Sequence, residues 1–569
     1  TDSLGFFKVE YDSSYSFIKA SYLSYLEHTV ELTPGKTSYL IQMAARKNSL
    51  EEVVVSSSRV QIENKPTGIQ FNVSSTILES LGNSYDLLER LPGMNPGPTG
   101  DLEIRGTRSI VVYINRKRLQ LSSNQLYNYL RTIPSNQIDN IFVENNFSAR
   151  DEASRGGTII RITLKKDESL GVKGSIGLNA RLLNKYRLIG SSSLEYSPSS
   201  NFRSYTRYSY TNAVTEIERE SLRSVKTSAG TEVLITQAGE NVLDYGIHSV
   251  TSGADINLGK STFVNIEGQY THDQTEANNI NITNEQRGDG DDLVTSFKNP
   301  QDQSTRNISL DVYSETTLDT FGSNLTFQAN YLKLGQDETN GLQYSLLSNQ
   351  PVFLPPNRDI EIDNPIALFA LNADYQKRTK KGYLFETGFR FSRASIDSDQ
   401  QIFDIVSESN RVLNPTYSND FSFQEDIQAG YIQASNSFNG LYIALGLRGE
   451  KSLTQGEAIN LDSTFTRSIF SLFPSISFYK NIKGTNVSLS YSRSIARPSY
   501  NRLNPTLVFI NDITFERGNV ALLPQYSHGI NLYLGFSFGL SISANSYYSK
   551  NFILPVVIEG FDNKELVTT

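Results

Sequence analysis

The sequence predicts a mainly β fold. It is a transmembrane antiparallel β-barrel over residues 168–569, preceded by a small α+β domain (61–167), a linker (46–60) and a partial β-sandwich (1–45). Three observations predict the barrel. From about Leu170 onward, apolar and polar residues alternate with a period of two. Val264, Ile266, Gly268 and Tyr270 fall on one face of a strand, and Asn265, Glu267, Gln269 and Thr271 on the other. Leu325, Phe327, Ala329 and Tyr331 repeat the pattern, as do Phe470, Leu472, Ile476 and Phe478, and then Val487, Leu489 and Tyr491. The connections are asymmetric. Short turns are expected at Pro198–Asn201, Gly259–Lys260, Asp319–Ser323, Lys377–Gly382, Asn436–Gly440, Asn481–Gly484 and Gly535–Gly539. They alternate with long polar loops near 216–242, 276–302, 337–364, 397–420, 454–464 and 496–525. A soluble sandwich shows the same alternation of residues. The regular exchange of short and long connections marks an up-and-down membrane barrel, with the short turns periplasmic.

Composition agrees. Only 38% of residues are hydrophobic and 20% are charged, yet there are 31 Tyr and 30 Phe. A membrane barrel keeps its average polar because only one face meets lipid. No apolar run is long enough for a transmembrane helix or an intact signal peptide. Trp is absent, so any aromatic belt is made of Tyr and Phe. With no Cys there is neither a disulfide framework nor a thiolate metal site. The net charge of −8 argues against a nucleic-acid partner.

The domain before the barrel reads as follows. A short helix over Tyr85–Leu91 is stopped by Pro92-Gly93. Asp101–Gly106 leads to a strand at Ile110–Asn115, and a second helical piece runs from Leu126 to Ile133. Ile141–Glu144 and Gly156–Leu164 close the domain as strands. These residues, in this order, resemble the plug domain of TonB-dependent outer-membrane receptors. Arg105 and Gly106 match that family's Arg-Gly step, where the Gly allows a tight turn and the Arg can pair with a barrel carboxylate. Asp151–Ile160, with Gly156 and Gly157, is similar to its closing motif. One departure is the basic run Asn115-Arg116-Lys117-Arg118, where the family has Asp-Gly; it reads as a solvated turn. The run Ile110–Arg118 places the plug nearer the general outer-membrane barrel group than the glycan importers.

A second resemblance lies in the barrel. Arg497 and Pro498 open a segment that leads to Gly518, Asn519 and Pro524, similar to the receptor motif Gly-Asn-Pro-x-Leu-x-Pro, with Val520 in place of the first Pro. The resemblance implies a full barrel of twenty-two strands. About fifteen and the start of another are counted to Thr569, so further strands are expected in the native protein, because an open edge is not viable in lipid. Gly5–Val9, Ser21–Tyr25 and Tyr39–Met43 read as strands, and Thr1–Phe6 and Ser21–Tyr25 are similar to the carboxypeptidase-regulatory-like domain that precedes the plug in many Bacteroidetes receptors. Gly35-Lys36-Thr37 lacks the upstream Gly of a phosphate loop, because position 30 is Val30.

Between that domain and the plug lie Glu51, Glu52, Val53, Val54, Val55, Ser56 and Ser57. This short β-branched segment is fit either to add to a partner's sheet edge or to serve as a plain linker strand. It resembles the TonB box. The resemblance implies that the periplasmic domain of TonB is a partner, that the barrel sits in outer-membrane lipid, and that an unidentified extracellular substrate is imported. The alternative is a structural or assembly subunit of a larger complex with outer-membrane protein or lipoprotein partners. An enzyme is not expected. The chain has no nucleophile elbow and no zinc-protease helix, and its four His (His28, His248, His272, His528) are scattered. Asp289, Asp291 and Asp292 cluster in a long loop but lack the spacing of a Ca²⁺ loop. No cofactor and no metal are expected.

Overall fold

The computed structural model describes the chain apart from residues 1–5, 11–15, 22–26 and 45–61; the short plug segments 66–67, 75, 81–82, 92–93, 97–101, 105–109, 116, 120–125, 127–129, 131–132, 134, 145–147, 155–157 and 166–169; and 183–184, 227–231, 287–291, 349–353, 408, 510–513, 539, 555, 560–564 and 569. It divides into two units, Thr1–Val60 and Gln61–Thr569.

In the first unit, β1 (Phe17–Ala20) pairs antiparallel with β2 (His28–Glu31). The strands expected at Gly5–Val9 and Tyr39–Met43 do not form in their described parts. A strand exists only against a partner edge, and neither segment has one among the described residues. Leu40 is left 94% exposed.

The second unit begins with the plug. Its main sheet has the order β3-β4-β9-β10-β7-β8. These strands are β3 (Ile62–Lys65), β4 (Gly68–Asn72), β7 (Ile110–Ile114), β8 (Lys117–Arg118), β9 (Ile138–Glu144) and β10 (Thr158–Leu164). A hairpin of β5 (Met94–Pro96) and β6 (Leu102–Ile104) stands beside it. Helix α1 (Ser84–Glu89) starts where the Asn83 side chain accepts the Asp86 amide at 3.0 Å. It puts Leu87 and Leu88, both fully buried, into a core with Ile141, Ile160 and Val112. Leu126 and Leu130, four residues apart, enter the same core. Of the basic run, Asn115 sits in a turn, Lys117 and Arg118 pair back on β7 as β8, and Arg116 lies outside the described residues. Asn115 takes φ +48° between β7 and β8, and its side chain accepts the Leu164 amide at 2.8 Å. Asn tolerates this left-handed conformation.

Seventeen strands form one antiparallel sheet. In order they are β11 (Gly171–Leu182), β12 (Tyr186–Ser199), β13 (Phe202–Lys226), β14 (Glu232–Leu258), β15 (Thr262–Gln286), β16 (Leu293–Thr317), β17 (Asn324–Leu346), β18 (Arg358–Asp363), β19 (Ile366–Arg378), β20 (Leu384–Ser407), β21 (Asn410–Leu413), β22 (Asn419–Phe438), β23 (Leu441–Ala458), β24 (Ser463–Ile482), β25 (Thr485–Ala496), β28 (Gln525–Gly535) and β29 (Ser541–Lys550). Here β18 and β21 belong only to the distal ladder, which leaves the fifteen wall strands expected. All seven short turns fall where the sequence places them. Asn439 and Gly440, at φ +49° and +75°, make the tight turn between β22 and β23. In the turn before β17, Asp319 accepts the Phe321 and Ser323 amides at 3.0 Å. Hydrogen bonding from Ser323, backed by Lys377, holds its carboxyl well below the usual carboxylate range.

Two expectations are corrected. Most of the long loops are paired strand. β13 and β14 stay in register as far as Lys226 opposite Glu232, and β15 and β16 as far as Glu285 opposite Leu293. Outside lipid neither face needs to be apolar, so the alternation that reveals a strand disappears there. The segment after β29 does not extend the wall. β30 (Val556–Glu559) and β31 (Glu565–Thr568) join β26 (Leu507–Phe509) and β27 (Thr514–Arg517) in a separate four-stranded sheet, taking the free edge of β27.

Burial settles which face meets lipid. In β15 the polar Asn265, Glu267 and Thr271 are 8%, 9% and 3% exposed, whereas Ile266 and Tyr270 are 42% and 43% exposed. A soluble sandwich has the opposite order. The same inversion recurs with Leu325 and Phe327 outside and Thr326 and Gln328 inside, and with Leu489 outside and Ser488 and Ser490 inside. No helix among the described residues is long and apolar enough to cross a membrane; the crossing is made by strands.

Candidate functional site

Among the described residues, the plug meets the wall mainly through the segment Ser148–Ser154, which leads into β10. A buried carboxylate shapes this segment from within. Asp151 accepts the Ser148 amide at 3.2 Å and hydroxyl at 2.8 Å, and Arg161 lies 3.6 Å away. Arg161 also pairs with Glu144 at 2.9 Å. Burial nonetheless pushes the Glu144 carboxyl above its ordinary value, with Arg161 pulling the other way.

Four residues of the segment, Ala149, Arg150, Glu152 and Ala153, find polar partners on wall strands, and alternation explains the match, because i and i+2 on a strand share the lumen face. The Ala149 amide donates to Gln433 at 3.0 Å, and Gln433 in turn donates to Glu386 at 2.8 Å. Arg150 stands 3.7 Å from Asp374, and Glu152 pairs with Arg390. The Ala153 amide donates to Glu450 at 3.2 Å, while its carbonyl accepts the Ile495 amide at 2.8 Å. Gly446 permits the approach, because a Cβ there would lie 2.7 Å from the Ala149 Cβ and 2.6 Å from the Ser475 hydroxyl.

Glu450 is the hub. Its carboxylate receives Arg448 Nε and Arg497 Nη2, both at 2.6 Å, in addition to the Ala153 amide. Glu425 flanks Arg497 at 3.8 Å. The side chains of Glu450 and Arg448 are 1% and 2% exposed. The apolar part of the joint is small. Ala153 packs with Phe473 and Ile495, and every residue of the main plug core is the plug's own.

The sequence-derived sites divide as follows. Arg497 does bind a wall carboxylate. Pro498 leads from β25 toward α2 (Tyr500–Leu503). The Gly518 amide donates to the Asn504 carbonyl at 2.9 Å, and an added Cβ would meet that oxygen at 2.4 Å. The Asn519 side chain accepts the Ala521 amide, and this bend presents the Val520 and Leu522 carbonyls to Arg467. The Pro524 carbonyl accepts from Asn551 at 3.4 Å. The motif thus folds a loop onto the wall. Glu51–Ser57, Arg105, Gly106, Gly156, Gly157, Asp289 and Asp291 lie outside the described residues.

Sequence reasoning missed Glu450, Arg448, Asp374, Arg390 and Gln433. Charged residues at lumen-facing positions of otherwise Ser- and Thr-rich strands are the signal that marks them. It also missed that His248 and His272 are direct cross-strand partners on the outer face. Tyr208 bonds His248 Nδ1 at 2.9 Å, and Tyr210 stacks on the same ring at 4.4 Å.

A wall with apolar residues outside and polar residues inside, filled by a separately cored α+β domain, defines an outer-membrane β-barrel with an internal plug. Residues 316–569 match the Outer membrane protein beta-barrel family model. Among solved structures, the chain resembles the siderophore receptor PirA from Pseudomonas aeruginosa at 12% identity and a TM-score of 0.50, over 89% of this chain and 79% of that one. It also resembles the copper transporter OprC at 12% identity and a TM-score of 0.55, over 89% of this chain and 75% of that one. No curated protein sequence matches it. The chain has the fold of the TonB-dependent outer-membrane receptors, and its place is the outer membrane.

Proposed function

We propose that this protein is a TonB-dependent outer-membrane transporter that imports its substrate by energised remodelling of the plug. The observation that carries the reading is the character of the joint. Among the described residues, the plug keeps its own apolar core, and Ser148–Ser154 meets the wall by hydrogen bonds, ion pairs and one small apolar contact. Moving the segment exposes little apolar surface. A hydrogen bond to a charged partner contributes about 1.5–3 kcal/mol, and a partly exposed ion pair up to about 1 kcal/mol. Such contacts break one after another within the range of local opening, without unfolding the barrel.

In this reading Glu51–Ser57 is the coupling segment, between a small domain over residues 1–45 and the plug over 61–167. The periplasmic domain of TonB adds Val53–Val55 as a strand and pulls. Tension then loosens the joint and opens a path past the plug. The protein performs no bond chemistry.

Val54→Pro removes an amide from the added strand and forbids pairing there. Purified wild-type receptor should retain the periplasmic domain of TonB, and the Val54→Pro variant should lose it. If neither form binds, the transporter reading falls.

A further inference from the structure

The transporter reading leaves open what is carried, and the distal lumen wall speaks to that. Beyond the level of the plug joint, away from the short turns, β14–β17 continue as an unbroken ladder. Their lumen faces are dense in side-chain amides. Asn241, Asn279 and Asn299 stand directly opposite one another across three strands. The neighbouring rows pair Gln301 with Asn340 and Gln303 with Glu338. These residues lie far apart in the chain, and only the register brings them into one patch.

Three properties define the patch. It is poor in cations: the lumen-facing residues of β14–β17 at this level include no Lys or Arg, Lys298 sits on the outer face, and the cations beside the patch come from neighbouring strands, Arg219 opposite Gly239 and Arg187 at the Tyr245 hydroxyl. Its hydrogen-bonding capacity is unspent. The Oδ1 atoms of Asn241, Asn299 and Asn340 are buried without a partner, and Asn299 is only 4% exposed. An acceptor held from water with nothing to accept is costly, which favours a ligand that donates. It also has fixed acceptors. Glu338 is steadied by Gln336 at 3.2 Å and Asn340 at 2.8 Å, and the Tyr245 ring occupies the same face, its hydroxyl held by Arg187 at 2.8 Å.

We propose that this wall binds a neutral, polyhydroxylated ligand: an oligosaccharide. Each sugar hydroxyl donates one hydrogen bond and accepts others, the complement of an amide, which offers two donors and an acceptor. Carboxylates such as Glu338 accept from hydroxyls, and an aromatic ring covers the apolar face of a sugar. The alternatives fit the chemistry less well. An anionic ferric chelate meets the Glu338 carboxylate, and the cations it could reach stand only at the margin, Arg187 already spent on the Tyr245 hydroxyl and Arg219 on the neighbouring strand. Copper seeks thioether, thiolate or imidazole ligands. The chain has no Cys, its two methionines, Met43 and Met94, precede the barrel, and His248, His272 and His528 are on outward-facing positions. A peptide bound by its backbone needs a free strand edge, and these four strands are paired on both sides.

The inference rests on the transporter reading, and its test is independent of coupling. The full chain in detergent is titrated calorimetrically with neutral malto-, manno-, xylo- and laminari-oligosaccharides, a neutral peptide of similar length, and a ferric tricatecholate. At least one oligosaccharide should bind. Asn241→Ala and Gln301→Ala, both half-buried positions, should each weaken it about two- to tenfold, the effect of one lost hydrogen bond. Asn278→Ala, on the opposite face of β15, should leave it unchanged. Heat-modifiable gel mobility verifies that each variant is folded. The proposal is overturned if no oligosaccharide binds, if the peptide or chelate binds instead, or if the two lumen variants behave like Asn278→Ala. Since TonB takes no part, loss of capture in the Val54→Pro experiment and loss of sugar binding are separate outcomes.

Discussion

Replacing Glu450 by Ala isolates the joint between plug and wall. Three donors converge on its carboxylate: Arg448, Arg497 and the Ala153 amide. Truncation leaves the Arg448 guanidinium 2% exposed with no counter-charge among the described residues, and its Nη2 already lacks a partner. Arg497 is stranded less severely, since Glu425 stays 3.8 Å away. Removing one partner from a buried ion pair costs about 3–5 kcal/mol, mostly through the charge left behind. The barrel of Glu450→Ala should therefore unfold at distinctly lower urea, read from its heat-modifiable gel band. The Ala153 amide has lost a charged acceptor of about 1.5–3 kcal/mol, so its hydrogen exchange should quicken about ten- to a hundredfold. A triple variant, Arg448→Met, Glu450→Leu and Arg497→Met, separates the two effects. It should recover the barrel, because a buried ionic triad exchanges for apolar residues at little cost, while Ala153 still exchanges fast. Unchanged exchange at Ala153 in Glu450→Ala would refute the view that this carboxylate fastens the plug.

Two further outcomes follow from the packing. Gly446→Ala should loosen Ser148–Ser154 without altering the barrel's urea midpoint, because the new methyl meets Ala149 and Ser475; protease cleavage within that segment is the readout, and protection equal to wild type would contradict the close approach. Leu310→Arg places a charge on the lipid face, where Leu310 is 49% exposed, and should cost about 2–4 kcal/mol in bilayer-folded protein but far less in detergent.

Much of the fold was written in the chain because membrane strands obey a strict rule. Within lipid the outer face must be apolar and the inner face is free to be polar, so Val264–Thr271 and Asn324–Tyr331 declare themselves as strands. Tight turns at Asn439-Gly440 and Asp319–Ser323 carry their own backbone chemistry. Alternation alone is symmetric, however. It marks two faces of β15 without saying which one is wet, and the connections had to decide. Above the membrane the rule lapses, and strands such as Asn278–Gln286 then look like loops. The joint was legible only through Arg497 and the stretch that opens at Asp151-Glu152-Ala153, each singled out by a motif. The Arg497 partner Glu450 is separated from it by a whole hairpin, and nothing local to Arg448-Gly449-Glu450 announces an encounter with Ala153. The asparagine row is hidden for the same reason, because cross-strand register, not sequence distance, assembles it.

The continuity of these ladders has a mechanical consequence. A strand of the size of β15, 25 residues, is about 80 Å long, and the apolar band of a membrane barrel is about 25 Å tall. Even at the usual tilt, more than half of each long hairpin stands clear of the bilayer as hydrogen-bonded sheet. The entrance is therefore a stiff chimney rather than a fringe of flapping loops. It cannot fold down over a captured solute strand by strand, since bending one strand means shearing its neighbours. Closure at the rim is left to elements outside the ladder, and the distance a solute must fall to reach the plug is built in as a fixed length.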